Sequence, residues 1–143
     1  MFKAIHHVAV HCSDLDRSVR FYMDCFCFIV SSRRDRPDGS GIAFVRLGGM
    51  ALELTKRPNR KEPMSGMHFA VEADDMGAVV AHLKAKEVEM TLPPTAPRSA
   101  SSNPDARYRA VFAGPDGEHI EVLAPYRTGV PPVQTRREES VTD

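Results

Sequence analysis

Residues 7–15 read His-Val-Ala-Val-His-Cys-Ser-Asp-Leu, and residues 68–76 read His-Phe-Ala-Val-Glu-Ala-Asp-Asp-Met. His7 aligns with His68, Ala9 with Ala70, Val10 with Val71 and Asp14 with Asp75. Each copy closes on an apolar run carrying one carboxylate, Ala51-Leu-Glu-Leu54 in the first and His119-Ile-Glu-Val122 in the second. An internal repeat of about 60 residues constrains the fold strongly, because each unit must bury its apolar face against something. One His and one Glu per unit, on strand-like segments, suggest a pseudo-symmetric metal site.

The chain has 143 residues, enough for one domain with a substantial core. Nineteen basic side chains balance nineteen acidic ones, so bulk charge makes no case for nucleic acid or an anionic membrane. No apolar run approaches the roughly 18–20 residues that span a bilayer. No charged segment leading into an apolar one opens the chain, so a cytoplasmic protein without a secretory signal is expected. Cys12, Cys25 and Cys27 are odd in number and close-set, which fits a reducing compartment. Cys25 and Cys27 lack the second pair that a zinc site would need, and read as structural thiols.

Period-two patterning over 4–12 predicts a strand, and Ser13-Asp14 offers a helix cap. Leu15, Val19, Tyr22 and Phe26 then recur at helical spacing. Strands are expected over 27–33, 42–47 and 50–55, joined by the turn residues Arg36-Pro-Asp-Gly-Ser-Gly41 and Gly48-Gly49. The second half repeats the order, with a strand over 67–73, a cap at Asp74 or Asp75 and a helix through Met76, Val79, Val80 and Leu83. Strands near 87–91, over 107–113 and over 118–124 complete it. The fold class is therefore α+β, two βαβββ modules. Module one covers 1–56, a charged, proline-bearing linker 57–66, and module two 67–127. Residues 93–106 read as a long loop and 128–143 as a disordered tail.

Strand side chains alternate faces, so His7, Ala9 and His11 share one, as do His68, Ala70 and Glu72. Ala51 joins Glu53, and His119 joins Glu121. Two imidazoles and two carboxylates suit one divalent ion such as Zn, Ni, Co, Mn or Fe. Four protein ligands on an octahedral ion leave two positions for water or substrate oxygens. His11 and Glu72 hold equivalent places in the repeat and are candidates to flank the pocket. His119 is a candidate support for Glu121, and Arg107 and Arg109 are candidates for an anionic substrate. Phe44, Phe69, Met50, Met67 and Phe112 read mainly as core.

These segments carry a resemblance to the vicinal oxygen chelate superfamily. The matching stretches are His6-His7-Val-Ala-Val10, Ser13-Asp-Leu-Asp-Arg-Ser-Val-Arg-Phe-Tyr22, Met50-Ala-Leu-Glu-Leu54, Met67-His-Phe-Ala-Val71 and Gly114-Pro-Asp-Gly-Glu-His-Ile-Glu121. Together they cover about residues 4–125. The resemblance implies paired modules closing into an incomplete barrel, with His7, Glu53, His68 and Glu121 as metal ligands, and a homodimer. Two departures stand out. Phe26-Cys27-Phe28 lacks the glycine usual after the first helix, and Gly114 replaces an aspartate in the turn before the last strand.

The His-Glu-His-Glu set resembles the glyoxalase I and methylmalonyl-CoA epimerase branch, lyases and isomerases that move a proton next to a metal-bound carbonyl through an enediolate. A small-molecule carbonyl substrate follows, with Glu121 or Glu53 as the catalytic base. A metal-dependent extradiol-type dioxygenase is the first alternative, although a fourth protein ligand disfavours oxygen chemistry. A non-catalytic ligand-binding protein of the bleomycin-resistance type is the second. In similar bacterial glyoxalases an Arg and an Asn bind glutathione, and His11 and Arg57 stand at those positions here. The additional catalytic Glu of the epimerases falls near Gly39, with only Asp38 beside it.

Overall fold

Each half of the chain runs strand, helix, then three strands. The structure, a computed structural model, describes residues 6–57, 68–97 and 106–126, together with Met1 and Ala4. Elements of the first half are β1 (Val8–Cys12), α1 (Leu15–Phe26), β2 (Ile29–Asp35), β3 (Gly41–Leu47) and β4 (Met50–Lys56). Those of the second are β5 (His68–Glu72), α2 (Met76–Ala85), β6 (Met90–Thr95), β7 (Arg107–Ala113) and β8 (His119–Pro125). The two four-stranded sheets have orders β1-β4-β3-β2 and β5-β8-β7-β6, so the repeat is preserved strand for strand. The expected linker 57–66 (apart from Arg57), the core of the 93–106 loop and the 128–143 tail lie outside the described residues.

Both helices start as the repeat predicts. Asp14 and Asp75 take extended backbone angles and accept from the N–H three residues on, of Arg17 at 3.0 Å and of Ala78 at 2.7 Å. The Arg17 N–H bond also holds the Asp14 carboxyl below the usual carboxylate range. Leu15, Val19, Tyr22 and Phe26 are all buried, and α1 lays this stripe on β3, β4 and β2. Beneath it lie Val10, Ala43, Val45, Leu52 and Leu54, the inward residues of the sheet. Each large side chain so buried contributes about 1.5–3 kcal/mol over its exposed state.

Three strands differ from the sequence expectation by more than one residue. β1 begins at Val8 rather than at residue 4. β2 begins at Ile29 because Cys27, at the position where the usual glycine is missing, turns left-handed (φ 59°, ψ 25°) and ends the helix. The strand expected near 87–91 runs instead from Met90 to Thr95, after Glu87 has taken a positive φ of 57°. It continues through Pro93 and Pro94, which the sequence reading assigned to a loop. β6 is an edge strand, where an N–H facing solvent makes no ladder bond, and its register against β7 shifts between Met90 and Leu92 and again across the two prolines, between Leu92 and Thr95.

The chain divides into two compact units, residues 1–69 with 113–120, and residues 70–112 with 121–143. The first unit contains the β7–β8 turn, Gly114-Pro-Asp-Gly117, and a buried polar network binds that turn to α1. The Tyr22 hydroxyl donates to Glu118 Oε1 at 2.6 Å, and the Asp116 N–H donates to Oε2 at 2.9 Å. Both Tyr22 and Glu118 are essentially inaccessible. Burial, then the adjacent Glu118 carboxylate, pushes the Tyr22 phenol far above its ordinary range, so it remains a donor. Asp116 Oδ1 accepts from the Ser13 N–H at 3.0 Å, the Ser13 hydroxyl at 2.6 Å and Arg17 at 3.1 Å. The departure at position 114 follows from this packing. A Cβ on Gly114 would stand 2.1 Å from Glu118 Cδ, so the carboxylate occupies the space a side chain there would need.

In the second unit, Met76 and Leu83 of α2 are buried, as are Tyr108, Ala110 and Phe112 on one face of β7. The rings of Tyr108 and Tyr126 pack at 4.9 Å.

Two outcomes are expected in urea unfolding. Cys27→Gly stabilises by about 0.5–1 kcal/mol, since the left-handed conformation costs a non-glycine residue about 1–2 kcal/mol and glycine's freedom in the unfolded chain offsets part of the gain. Gly114→Ala destabilises by about 2 kcal/mol or more, and combination with Glu118→Ala costs less than the sum of the two single changes.

Candidate functional site

β1 and β4 run parallel with Ala9 beside Glu53 and His11 beside Thr55, and antiparallel β3 places Phe44 on the other side of Glu53. With α1 covering the Val10, Leu52 and Leu54 face, alternation puts Ala9, His11, Ala51, Glu53, Thr55 and Phe44 on the opposite one. His7, one residue ahead of β1, joins this group.

His7 Nε2 stands 3.4 Å from Glu53 Oε2, with the two side chains 33% and 21% exposed. The other ring nitrogen, Nδ1, lies 2.8 Å from His6 Nδ1, and the Phe44 ring meets the imidazole edge-on at 5.4 Å. The imidazole is therefore held from two sides with Nε2 turned to the carboxylate. Two ligands each about 2.1 Å from one ion are separated by roughly 3.0–3.4 Å in octahedral or tetrahedral geometry. The His7–Glu53 separation matches this range, and one imidazole plus one carboxylate is a suitable donor chemistry for a divalent cation. Of the two alanines on this face, Ala51 is fully buried and Ala9 is half-buried.

His11 lies on the same face of β1 as Ala9, with Nδ1 2.7 Å from the Thr55 hydroxyl. Thr55 is buried, so this contact satisfies a hydroxyl that would otherwise be stranded. Sequence reading singled out His11 and did not find Thr55.

The second sheet distributes its candidates differently. His68, Ala70 and Glu72 form the exposed side of β5. His119, Glu121 and Leu123 alternate with the buried Ile120, Val122 and Ala124 on β8. Arg107 and Arg109 share the more open face of β7. Arg109 donates from Nε to Glu121 Oε1, forming an ion pair in which the arginine is 48% exposed and the glutamate 14%. Arg57 is exposed just past β4. The structure thus brings His7 to Glu53 and Arg109 to Glu121. Among the described residues, no group of three or more His, Cys, Asp or Glu side chains stands close enough to hold an ion.

No described helix is long and apolar enough to cross a membrane. None of the three cysteines is in a disulfide. Burial pushes the Cys12 thiol up to about 11, outweighing the lowering effect of its Ser18 hydrogen bond.

Two βαβββ modules, each with a polar face carrying His and Glu, define an α+β protein of the glyoxalase type. The sequence pattern of the Glyoxalase/Bleomycin resistance protein/Dioxygenase superfamily matches residues 4–122, and the chain belongs to this superfamily. Human mitochondrial methylmalonyl-CoA epimerase is 30% identical over 95 residues, covering 59% of this chain and 54% of that protein. The uncharacterized protein YaeR of Escherichia coli is 32% identical over 95 residues, covering 61% of this chain and 74% of its own. The chain therefore spans about half the length of the human relative. Among solved structures, a glyoxalase family protein from Enterococcus faecalis superposes with a TM-score of 0.71 at 25% identity, covering 85% of this chain and 98% of that one. Glyoxalase I from Zea mays superposes with a TM-score of 0.68 at 26% identity, covering 83% and 46%. Distant relatives thus include enzymes.

Thr55→Val removes the hydroxyl from a buried position and is expected to cost about 1 kcal/mol. In imidazole nitrogen spectra the same change shifts the His11 signals and leaves those of His7 in place.

Proposed function

We propose that the chain is a divalent-metal-dependent lyase or isomerase of the glyoxalase and epimerase kind, acting on a small carbonyl compound. The observation that carries this reading is the His7–Glu53 pair at 3.4 Å on the sheet face opposite α1. His68 and Glu121 are assigned as the remaining two ligands by their equivalence in the repeat. The names of the relatives, an epimerase and a glyoxalase, support a proton transfer beside a carbonyl. A divalent ion held by these residues would withdraw electron density from the carbonyl and so acidify the neighbouring C–H.

The chain's own groups supply the rest. Glu53 is the better candidate of the two glutamates to receive the proton, because Arg109 already engages Oε1 of Glu121. The C–H electron pair moves toward the carbonyl oxygen, the proton passes to the Glu53 carboxylate, and its return to either face or to the adjacent carbon completes the exchange. His6 and Phe44 fix the His7 ring. His11, held by Thr55, contacts the substrate farther along β1. Two residues of strand separate His11 from Ala9, about 6–7 Å. A homodimer acting on a small molecule, with no nucleic acid or membrane partner, completes the proposal.

A second reading, a protein that sequesters a ligand without turning it over, is favoured by the Arg109–Glu121 pair, since a carboxylate neutralised from within needs no ion. Metal analysis of the purified chain after growth with supplied Zn, Ni, Co, Mn and Fe separates the two. Stoichiometric metal, with chelator-sensitive solvent deuterium uptake into a 2-hydroxycarbonyl or 2-methyl thioester probe, is the outcome expected. Glu53→Gln should slow that uptake by about 100-fold or more. Full uptake by Glu53→Gln would remove Glu53 as the base, and absence of bound metal would overturn the metal reading.

A further inference from the structure

The face of the first sheet that carries His7 and Glu53 is not uniform. Along β3 the buried Ala43 and Val45 alternate with Ile42, Phe44 and Arg46, so these three share the face of Glu53 and Thr55. Cross-strand register carries the face on to β2, with Ile42 beside Arg34, Phe44 beside Ser32 and Arg46 beside Ile29. Cover falls away in that direction. Ala51 and Thr55 on β4 are buried, whereas Ile29, Ser32 and Arg34 on the edge strand β2 are exposed. Arg46 stands at this border, itself exposed, between Ala51 on one side and Ile29 on the other. It lies diagonal to Glu53, roughly 7–8 Å between backbone positions, within the reach of a long side chain.

The opposite side of the same sheet treats its arginine differently. Arg33, turned toward α1, meets Asp16 at 2.6 Å and Asp35 at 2.8 Å. Among the described residues, no carboxylate or other side-chain acceptor holds the Arg46 guanidinium. Its cross-strand neighbours, Ala51 and Ile29, have no side-chain acceptor to offer, and Glu53 is turned to His7. A guanidinium is a planar fork of donors that matches a carboxylate or a phosphate with two parallel bonds. Arg107 and Arg109, which the sequence singles out for an anionic substrate, belong to the other unit, and Arg109 engages Glu121.

We infer that Arg46 binds an oxyanion group of the substrate, a carboxylate or a phosphate, and so restricts the substrate to carbonyl compounds that carry one. The inference rests on the reading of this face as the substrate site and deepens it, but it does not need the metal. With the carbonyl beside His7 and Glu53, the anionic group lies toward β2, where the face opens to solvent and a ligand enters. Arg34, on the same face, adds a second positive charge along that approach and raises the local concentration of anions. An exposed fork of this kind favours an anionic ligand over its neutral counterpart by roughly five- to ten-fold.

The test is a binding titration of the full chain followed by amide spectra, run after chelator treatment and again with Zn²⁺ restored. Two matched pairs of probes are used: 2-oxobutanoate against butan-2-one, and dihydroxyacetone phosphate against dihydroxyacetone. In either condition the parent is expected to prefer at least one anionic member by roughly five- to ten-fold, and which one distinguishes carboxylate from phosphate. Arg46→Gln is expected to lose the preference and Arg46→Lys to keep part of it. Arg20→Gln, which removes an exposed charge from α1 on the other side of the sheet, is expected to keep all of it. Unfolding curves show that each variant is folded. A preference absent from the parent, retained by folded Arg46→Gln, or lost equally in Arg20→Gln overturns the inference and leaves the substrate site standing. Binding of no probe in either condition overturns both. A preference that depends on Arg46 in a chain that takes up no Zn²⁺ upholds the inference and removes the metal reading alone.

Discussion

A single buried carboxylate, that of Glu118, holds the first unit in register. A buried acid without partners costs several kcal/mol, so the fold closes around it with the Tyr22 hydroxyl on one oxygen and the Asp116 N–H on the other. Asp116 in turn grips Ser13 and Arg17 at the start of α1. The helix is thus fastened at its first turn by Asp116 and at its middle by Tyr22. Because α1 lies on one face of the first sheet, fixing the helix fixes the strands, and with them His7 and Glu53 on the opposite face. A contact made on the α1 side of the sheet thus helps to position the His7–Glu53 pair on the other side.

The symmetry of the repeat is conserved in backbone and broken in side chains. Both halves share strand order, and the aspartates that cap the helices take the same extended backbone conformation, φ −134° and ψ 111° at Asp14 and φ −143° and ψ 117° at Asp75. Side-chain partners diverge: Thr55 meets His11 in the first half, while Arg109 meets Glu121 in the second. Backbone geometry defines the class of protein. The unmatched partners carry the individuality.

Much of this could be read in the sequence. Period-two alternation located the strands and the faces of His7, His11, Glu53, Glu72, Arg107, Arg109, His119 and Glu121, since side-chain direction on a strand follows from parity alone. The helix starts were legible because capping is local chemistry. Element ends were less so. The sign of φ at Cys27 and Glu87 has no marker in residue type, and the tolerance of Pro93 and Pro94 within β6 depends on its being an edge strand. Partner identities were illegible for another reason. Thr55 lies 44 residues from His11, and Glu118 lies 96 from Tyr22, so tertiary folding alone reveals these pairs. Gly114 was visible as a departure, yet its cause was not, because the space it leaves is filled by a residue four positions later.

That filled space has a historical consequence. Gly114 and Glu118 cannot be exchanged independently: a side chain at 114 excludes the folded-back glutamate, whereas glycine at 114 tolerates a smaller neighbour at 118. The contact therefore sets the order of change at the two positions: the side chain at 114 goes before the acid at 118 is gained, and the acid goes before a side chain at 114 returns.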